Sequence, residues 1–263
     1  MARVQELLQE VSATCSEPRF GHLAPAESWE KMPGEVVTVA DEESEAMLTE
    51  RLPALFPAPV VGEEGCARDP ATMSALGADW AWVVDPVDGT ANFAAGRPDW
   101  AVMVALLRSG SAVMGWIWLP VSGRMYVAER GSGATANGSA LARPSAEGDP
   151  AKLRGVVPER LLPDDYVAKL RARRRRLADV SEGLYCAGAE YPALVEGHRD
   201  FINFWRGLPW DHAPGALLAE EAGCTVRHLD GTPYRAGVVR TGLLAAAGDG
   251  AWDAACSALW GEV

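Results

Sequence analysis

Cysteine is sparse in this 263-residue chain, and Cys15, Cys66, Cys186, Cys224 and Cys256 form no C-x-x-C pair. An odd, widely spaced set excludes a disulfide framework and a thiolate zinc site as organising features, and points to a reducing compartment. Histidine is scarcer, at four, and His22, His198 and His228 have no ligand spacing. Basic residues number 24 against 36 acidic ones, which leaves a formal charge of −12. A field of that sign disfavours nucleic acid and anionic membranes as partners. Most of the acidity reads as solubilising surface charge, and it is compatible with a carboxylate cluster that expects a metal. No apolar run approaches the roughly 18–20 residues of a membrane span. The opening MARVQELLQE has neither an apolar h-region nor a small-residue cleavage site, so no signal peptide is expected. There is no internal repeat, and the absence of a P-loop argues against a kinase or NTPase. The expectation is a soluble, cytoplasmic protein, long enough for one large domain or two small ones.

Periodicity supplies the elements. Val4, Leu7, Leu8 and Val11 fall at i, i+3, i+4, i+7, one face of a helix. A second helix is predicted over 41–55, with Met47, Leu48, Leu52 and Leu55 inward, acidic residues in its first turn, and Pro53 and Pro57 ending it. Strand-like runs follow at 60–61, 80–84, 101–107, 113–119 and 125–128, as in a mainly antiparallel sheet. Trp80/Trp82 and Trp116/Trp118 alternate on these strands as packing residues. The segment ARPSAEGDP, 142–150, reads as a linker. It divides an N-terminal α+β part, 1–148, from a C-terminal α/β part, 149–263. Beyond it, strands are predicted at 153–157, 201–205, 224–228 and 243–246. Helices are predicted over 164–177 and 211–222, the second stopped by Gly223 as a C-cap. An apolar segment surrounds 185–194, and Trp252, Ala255, Cys256 and Leu259 close the chain on a helical face.

The stretch WAWVVDPVDGTANF, 80–93, carries the chemistry. An apolar strand runs into Asp85-Pro86-Val87-Asp88-Gly89-Thr90. Two carboxylates separated by a rigid proline and the Val87 carbonyl can converge on one point, and oxygen-only donors of this kind suit a hard cation such as Mg²⁺. Gly89 and Thr90 open a helical turn whose free N–H groups would cradle an anion. An isolated Asp-Gly is an ordinary turn; the whole run at a strand end is far more specific. Glu63 and Glu64 follow the apolar pair Val60-Val61 at another strand end. Asp211 stands at a helix start in WDHAPG, 210–215, where taken alone it would read as an N-cap.

In this order, V-V-T-V-A-D (36–41), G-E-E (62–64), D-P-V-D-G-T-A-N-F (85–93), W-D-H-A-P-G (210–215) and E-A-G (221–223) resemble the inositol monophosphatase family, Mg²⁺-dependent, lithium-sensitive phosphomonoesterases related to fructose-1,6-bisphosphatases. The resemblance spans nearly the whole chain. It implies a layered αβαβα sandwich, a homodimer, two or three Mg²⁺ ions and inhibition by Li⁺. It implies that Glu63, Asp85, the Val87 carbonyl, Asp88 and Asp211 bind metal. Thr90 and Glu63 would orient and deprotonate the attacking water, with Asp41 supporting the water network and Thr38 marking the same motif. The Gly89 and Thr90 amides would hold phosphate. Ala187-Gly188 aligns with a small-residue stretch of the substrate pocket, with Glu190 and Glu196 nearby. Lys31 falls where the family often places a lysine.

One position departs from the pattern. Inositol-specific members carry a glutamate shortly before the W-D motif, whereas no carboxylate lies between Asp200 and Asp211 here. Phe204 or Trp205 takes that place, as pocket, core or interface residues, and Arg206 adds positive charge. A flatter, less hydroxylated or additionally anionic leaving group fits better than myo-inositol. Histidinol phosphate, a sugar phosphate and a nucleotide such as 3′-phosphoadenosine 5′-phosphate stay open. So does a non-catalytic relative that binds metal and a phosphorylated metabolite. The basic run Arg171 to Arg176 reads as a solvated helix face, and His212 is not expected to bind metal, since Mg²⁺ prefers oxygen.

Overall fold

The computed structural model describes residues 1–32 and 34–261. Helix α1 (Ala2–Val11) buries Val4, Leu7, Leu8 and Val11, the face its periodicity marks. A hairpin, β1 (Ser28–Met32) with β2 (Glu35–Thr38), leads into α2 (Val39–Leu55). The hairpin carries no clear alternation and was not expected. Pro53 does not end α2: it lies inside the helix, which stops only after Leu55, where the Phe56 N–H bonds back to the Leu52 carbonyl. A proline costs one hydrogen bond there, and burial of Leu48 and Leu52 in the turns before it, with Leu55 half-buried beyond it, holds the helix together.

Strand β3 (Val60–Gly62) turns directly into the short α3 (Glu63–Arg68), and β4 (Trp80–Asp88) into α4 (Thr90–Ala94). Strands β5 (Ala101–Arg108), β6 (Ser111–Leu119), β7 (Arg124–Glu129), β8 (Gly133–Ala136) and β9 (Ser139–Leu141) complete a seven-stranded sheet in chain order. Only the β3–β4 pair is parallel. The chain then crosses to a five-stranded sheet ordered β11-β10-β12-β14-β13, made of β10 (Arg154–Val156), β11 (Asp179–Ser181), β12 (Phe201–Phe204), β13 (Thr225–His228) and β14 (Leu243–Ala246). Its helices are α5 (Asp164–Arg173), α6 (Ala187–Val195), α7 (Pro209–Glu221) and α8 (Asp249–Trp260). Helix α5 is shorter than expected, so the arginine run straddles its end rather than forming one helix face. Arg171 pairs with Glu159, while Arg173 and Arg174 donate to the Leu259 and Val180 carbonyls.

The layers follow from which faces are apolar. Even-numbered Trp82, Val84, Val102 and Val104 meet α1 and α2; odd-numbered Val83, Met103, Ala105 and Leu107 meet α6 and α7. Because both faces are covered, β4 and β5 read as continuous apolar runs instead of alternating ones. Val156, Ile202 and Ala245 of the second sheet cover the other side of α6 and α7, and Phe201, Leu244 and Ala246 pack on α8. The result is a five-layer αβαβα sandwich, as expected. Trp82 and Trp116 are packing residues, with rings 6.0 Å apart. No helix among the described residues is long and apolar enough to cross a membrane.

Close approach of the middle layer depends on glycine. A Cβ on Gly115 of β6 would lie 2.9 Å from the Pro214 Cα of α7, and one on Gly215 would enter the Tyr191 ring of α6. Replacing Gly215 by Ala is therefore expected to destabilise the protein by about 1–3 kcal/mol, the usual cost of overpacking. The check is the midpoint of urea unfolding, and an unchanged midpoint would contradict this packing.

Candidate active site

Two aspartates three residues apart on a regular strand point to opposite faces. Strand β4 avoids this with an irregularity: Asp85 stands opposite Met103 and Asp88 opposite Ala101, so β4 carries one extra residue between them. Pro86, which has no N–H to give the ladder, sits in that bulge. The Asp85 carboxylate also accepts the Val87 N–H at 3.1 Å, which fixes its rotamer. Gly89 then takes φ +81°, a left-handed conformation that costs glycine little, and turns the chain into α4.

Other elements aim at the same place. Glu63 is the first residue of α3, at the end of β3, and Asp211 lies in the first turn of α7. Asp211 is not the N-cap: Leu208 is, which leaves its carboxylate free to face the site. Carboxylate oxygens of Glu63, Asp85 and Asp211 all lie within 4.8 Å of one another. Asp88 stands beside this trio, its Oδ2 accepting the Gly188 N–H at 2.6 Å and the Cys186 thiol at 3.0 Å. The Val87 carbonyl accepts from the Thr90 hydroxyl at 2.9 Å, and the Asp41 Oδ1 lies 3.0 Å from the same hydroxyl. Asp41 also caps its own helix, Oδ2 taking the Thr38 N–H at 2.8 Å and the Thr38 hydroxyl at 2.5 Å. Ala187 begins α6 and lines the cavity next to Asp88. Lys31, from β1, reaches Glu63 at 2.7 Å and Glu64 at 2.8 Å.

Burial and mutual repulsion act together on these groups. Burial, then neighbouring carboxylates, push Asp85 and Asp211 well above the usual range. Burial pushes Asp88 up to about 6 despite the Gly188 and Cys186 hydrogen bonds, and Asp41 up to about 7 despite Thr38. Burial alone would lower Lys31, but Glu63 and Glu64 outweigh it and hold the ammonium charged. Among the described residues, Asp85, Asp88 and Asp211 have no ion-pair partner. Hard oxygen donors that converge without a cation of their own fit a divalent metal such as Mg²⁺.

Several supporting residues were missed at the sequence level. Glu45, buried on α2, accepts the N–H groups of Glu64 at 2.7 Å and Gly65 at 2.5 Å, gripping the helix start that carries Glu63. A carboxylate there suits the dipole of α3; its only signal in sequence is its place four residues after Asp41, on the same helix face. Cys186, also missed, and Gly188, which the resemblance had placed in the pocket, meet Asp88 from the far half of the chain. Glu190 lines the cavity, whereas Glu196 is held away by Arg124 and the Tyr126 hydroxyl. Phe204 and Trp205 both line the cavity and pack on Tyr191 and Tyr166. The charge of Arg206 is offset by Glu35 at 2.7 Å. A larger cavity of about 770 Å³ lies at the opposite end of β4, around Trp80 and Trp82, away from every one of these carboxylates.

Fold and centre together define an αβαβα protein with an acidic, oxygen-donor site at its strand ends. The chain belongs to the inositol monophosphatase family, whose model matches residues 3–262. It is 35% identical over 212 residues to the Nus factor SuhB of Pseudomonas aeruginosa, covering 77% of this chain and 76% of that protein. It is also 35% identical over 242 residues to an inositol-1-monophosphatase of Mycobacterium leprae, covering 86% and 79%. Among solved structures, an IMPase of Thermotoga maritima superposes with a TM-score of 0.77 at 26% identity, over 94% of this chain and 93% of that one.

His212, next to Asp211, is buried and takes no part in the carboxylate cluster. Its Nε2–H donates to the Arg206 carbonyl at 2.7 Å, so Nδ1 is the atom 3.3 Å from the Tyr191 hydroxyl. Burial lowers its pKa to about 4, while an unfolded histidine titrates near 6.5. Between those values the unfolded chain binds the extra proton, so this group's contribution is complete above pH 6.5 and falls as pH drops towards 4, by about 3 kcal/mol at most. Unfolding free energies of wild type and His212→Asn at pH 7.5 and 4.5 test this. The difference between the two proteins should shift against the wild type at the lower pH, and a pH-independent difference would rule out a neutral buried imidazole.

Proposed function

We propose that this protein hydrolyses a small, soluble phosphate monoester with the help of Mg²⁺. The observation that carries the reading is the convergence of Glu63, Asp85 and Asp211 oxygens within 4.8 Å, beside the Thr90–Val87–Asp88 turn. Glu63, Asp85, the Val87 carbonyl, Asp88 and Asp211 would hold two or three Mg²⁺ ions. Bound there, the metal supplies positive charge that offsets a phosphate dianion and makes water more acidic. The remaining work falls to the chain. Thr90 and Glu63 orient the attacking water, and Glu63 takes its proton as the water oxygen bonds to phosphorus. The phosphorus–alkoxide bond breaks in line, and the leaving oxygen is protonated from solvent. Asp41 positions Thr90, and the amides of Gly89 and Thr90 face the phosphate.

The same proposal includes a homodimer, inhibition by Li⁺, and a cytoplasmic setting, supported by five buried cysteines that are all free. It also includes a division of labour between 1–148, which bears most ligands, and 149–263, which brings Asp211 and the pocket. A second reading is favoured by the similarity to a protein named as a Nus factor: a non-catalytic relative that binds metal and a phosphorylated metabolite. A binding module has no need of the Thr90–Glu63 pair, which favours catalysis.

Phosphate release from inositol, histidinol, sugar and nucleotide phosphates, with Mg²⁺, EDTA or Li⁺, tests the proposal. Release should require Mg²⁺ and fall with Li⁺. Asp85→Asn and Asp88→Asn should each lower kcat/KM by about 10²-fold or more, since charge stabilisation of several kcal/mol is lost. Both should keep their fold, because each removes a repelled buried charge. No release from any compound, by folded protein that binds Mg²⁺, would leave the non-catalytic reading.

A further inference from the structure

Two buried polar side chains lie close to the carboxylate centre and take no part in the chemistry assigned to it. Asn92, on α4, is 4% exposed, and Glu190, on α6, is 2% exposed. Burying an amide or a carboxylate is costly unless its hydrogen bonds are made, so the partners of each say what it does.

Both grip Leu184. The Asn92 Nδ2 donates to the Leu184 carbonyl and to the Asp99 carbonyl, each at 2.7 Å, while its Oδ1 accepts the Arg97 Nε–H at 2.9 Å. Two carbonyls on one side and a guanidinium on the other leave the amide one orientation. The Glu190 Oε1 accepts the Leu184 N–H. Leu184 stands between two residues of positive φ, Gly183 at +76° and Tyr185 at +54°. A bulky residue keeps that conformation only where its surroundings over-determine it, and the two bonds to Leu184 supply that constraint.

The segment held in this way leads straight to Asp88. Cys186 caps α6 with its thiol 3.0 Å from the Asp88 Oδ2, and the Gly188 N–H donates to the same oxygen at 2.6 Å. There is little slack: a Cβ on Gly89 would lie 3.0 Å from the Cys186 Cβ, and one on Gly183 would lie 2.4 Å from the Glu190 Oε1. A shift at Leu184 is therefore passed on to Cys186. Asn92 also belongs to the turn that it braces, since its own N–H donates to the Gly89 carbonyl at 2.7 Å. One end of the brace is the turn that carries Asp88, and the other is the segment that hydrogen-bonds it. The second oxygen of Glu190 makes no hydrogen bond, so what this residue gives Leu184 is a single acceptor.

We propose that Asn92 and Glu190 are positioning residues for Asp88: by holding both backbone groups of Leu184, they deliver the Cys186 thiol and the Gly188 N–H to its carboxylate. The placement of Gly188 stands apart from the phosphomonoesterase reading above; the consequence for Mg²⁺ rests on that reading.

The first test uses metal-free protein. Amide hydrogen exchange at Gly188, followed by NMR, should quicken about tenfold or more in Asn92→Ala and Glu190→Ala, while Leu194 near the far end of α6 keeps its wild-type rate. Glu190→Gln keeps an oxygen for the Leu184 N–H and should match the wild type. The second test is calorimetric titration with Mg²⁺ and no ester. Affinity should fall about tenfold in both alanine variants, the usual weight of a hydrogen bond to a charged group, and Glu190→Gln should restore it. Should Asn92→Ala fail to fold, the Glu190 pair carries both comparisons. Gly188 exchange that is unchanged, or that rises in step with Leu194, would overturn the proposal. So would a Glu190→Gln protein as impaired as Glu190→Ala, or unchanged Mg²⁺ affinity once Gly188 is loosened. If the wild type binds no Mg²⁺, the phosphatase reading fails separately, and exchange at Gly188 still decides the present inference.

Discussion

Repulsion among carboxylates is the constraint on which the rest of the structure depends. Two unit charges about 5 Å apart repel by about 3–4 kcal/mol at an effective dielectric of about 20. The trio Glu63, Asp85 and Asp211 contains three pairs at or within that separation. A folded domain has only about 5–15 kcal/mol in hand, so charge in this trio cannot simply be left uncompensated. The chain's own groups answer in two ways. Burial and repulsion drive Asp85, Asp88 and Asp211 towards their protonated forms, and Lys31 supplies a positive charge at Glu63. A divalent cation bound there would replace both devices at once and would couple metal binding to stability.

Holding such a cluster in place requires backbone groups more than side chains. Asp88 is fixed by the Gly188 N–H, Asp41 by the Thr38 N–H, and Glu63 indirectly by Glu45 on the α3 amides. Glycine recurs at these points because the approach is close: a Cβ on Gly188 would crowd Ala101, Met103 and the Asp88 carboxylate. Hydrogen bonds from N–H groups stabilise a carboxylate without adding a competing side chain where a ligand must sit.

How far the sequence was readable follows from the same physics. The layered fold, α1 and the long strands could be read because apolar periodicity and continuous runs record burial on one face or two. Asp85, Asp88 and Thr90 could be read because an apolar strand runs into a turn punctuated by Pro86 and Gly89; Glu63 and Asp211, which alone read as an acidic turn and an N-cap, were set beside them by the family resemblance. The β1–β2 hairpin was missed because Ser28–Met32 stays largely exposed and leaves no pattern. Glu45 was missed because a buried glutamate looks like a surface one until its amide partners, 19 and 20 residues later, are placed. Cys186 and Gly188 meet Asp88 across 98 and 100 residues, and no local rule foresees that contact. The end of α2 at Leu55 was read correctly, although Pro53 lies inside the helix, because one lost backbone bond is smaller than the burial around it.

The two halves of the cavity differ in how they are encoded, and this explains why chemistry was easier to infer than substrate. Phosphate presents the same charge and geometry in every ester, so the groups that meet it form short contiguous motifs with fixed spacing. The rest of the cavity wall includes Arg160, Tyr185, Phe204 and Trp205, which come from a 3₁₀ turn, a loop residue at positive φ and the end of β12. Among the described residues no hydrogen bond or ion pair joins any of them to the trio, and Phe204 and Trp205 rest on Tyr191 and Tyr166. Exchanging them alters the shape and charge offered to a leaving group while the carboxylate geometry, anchored on β3, β4 and α7, stays as it is. The wall that would face a leaving group can therefore be changed in this fold without moving the carboxylates, which is why the aromatic residues before the W-D motif say less about the reaction than the motif itself.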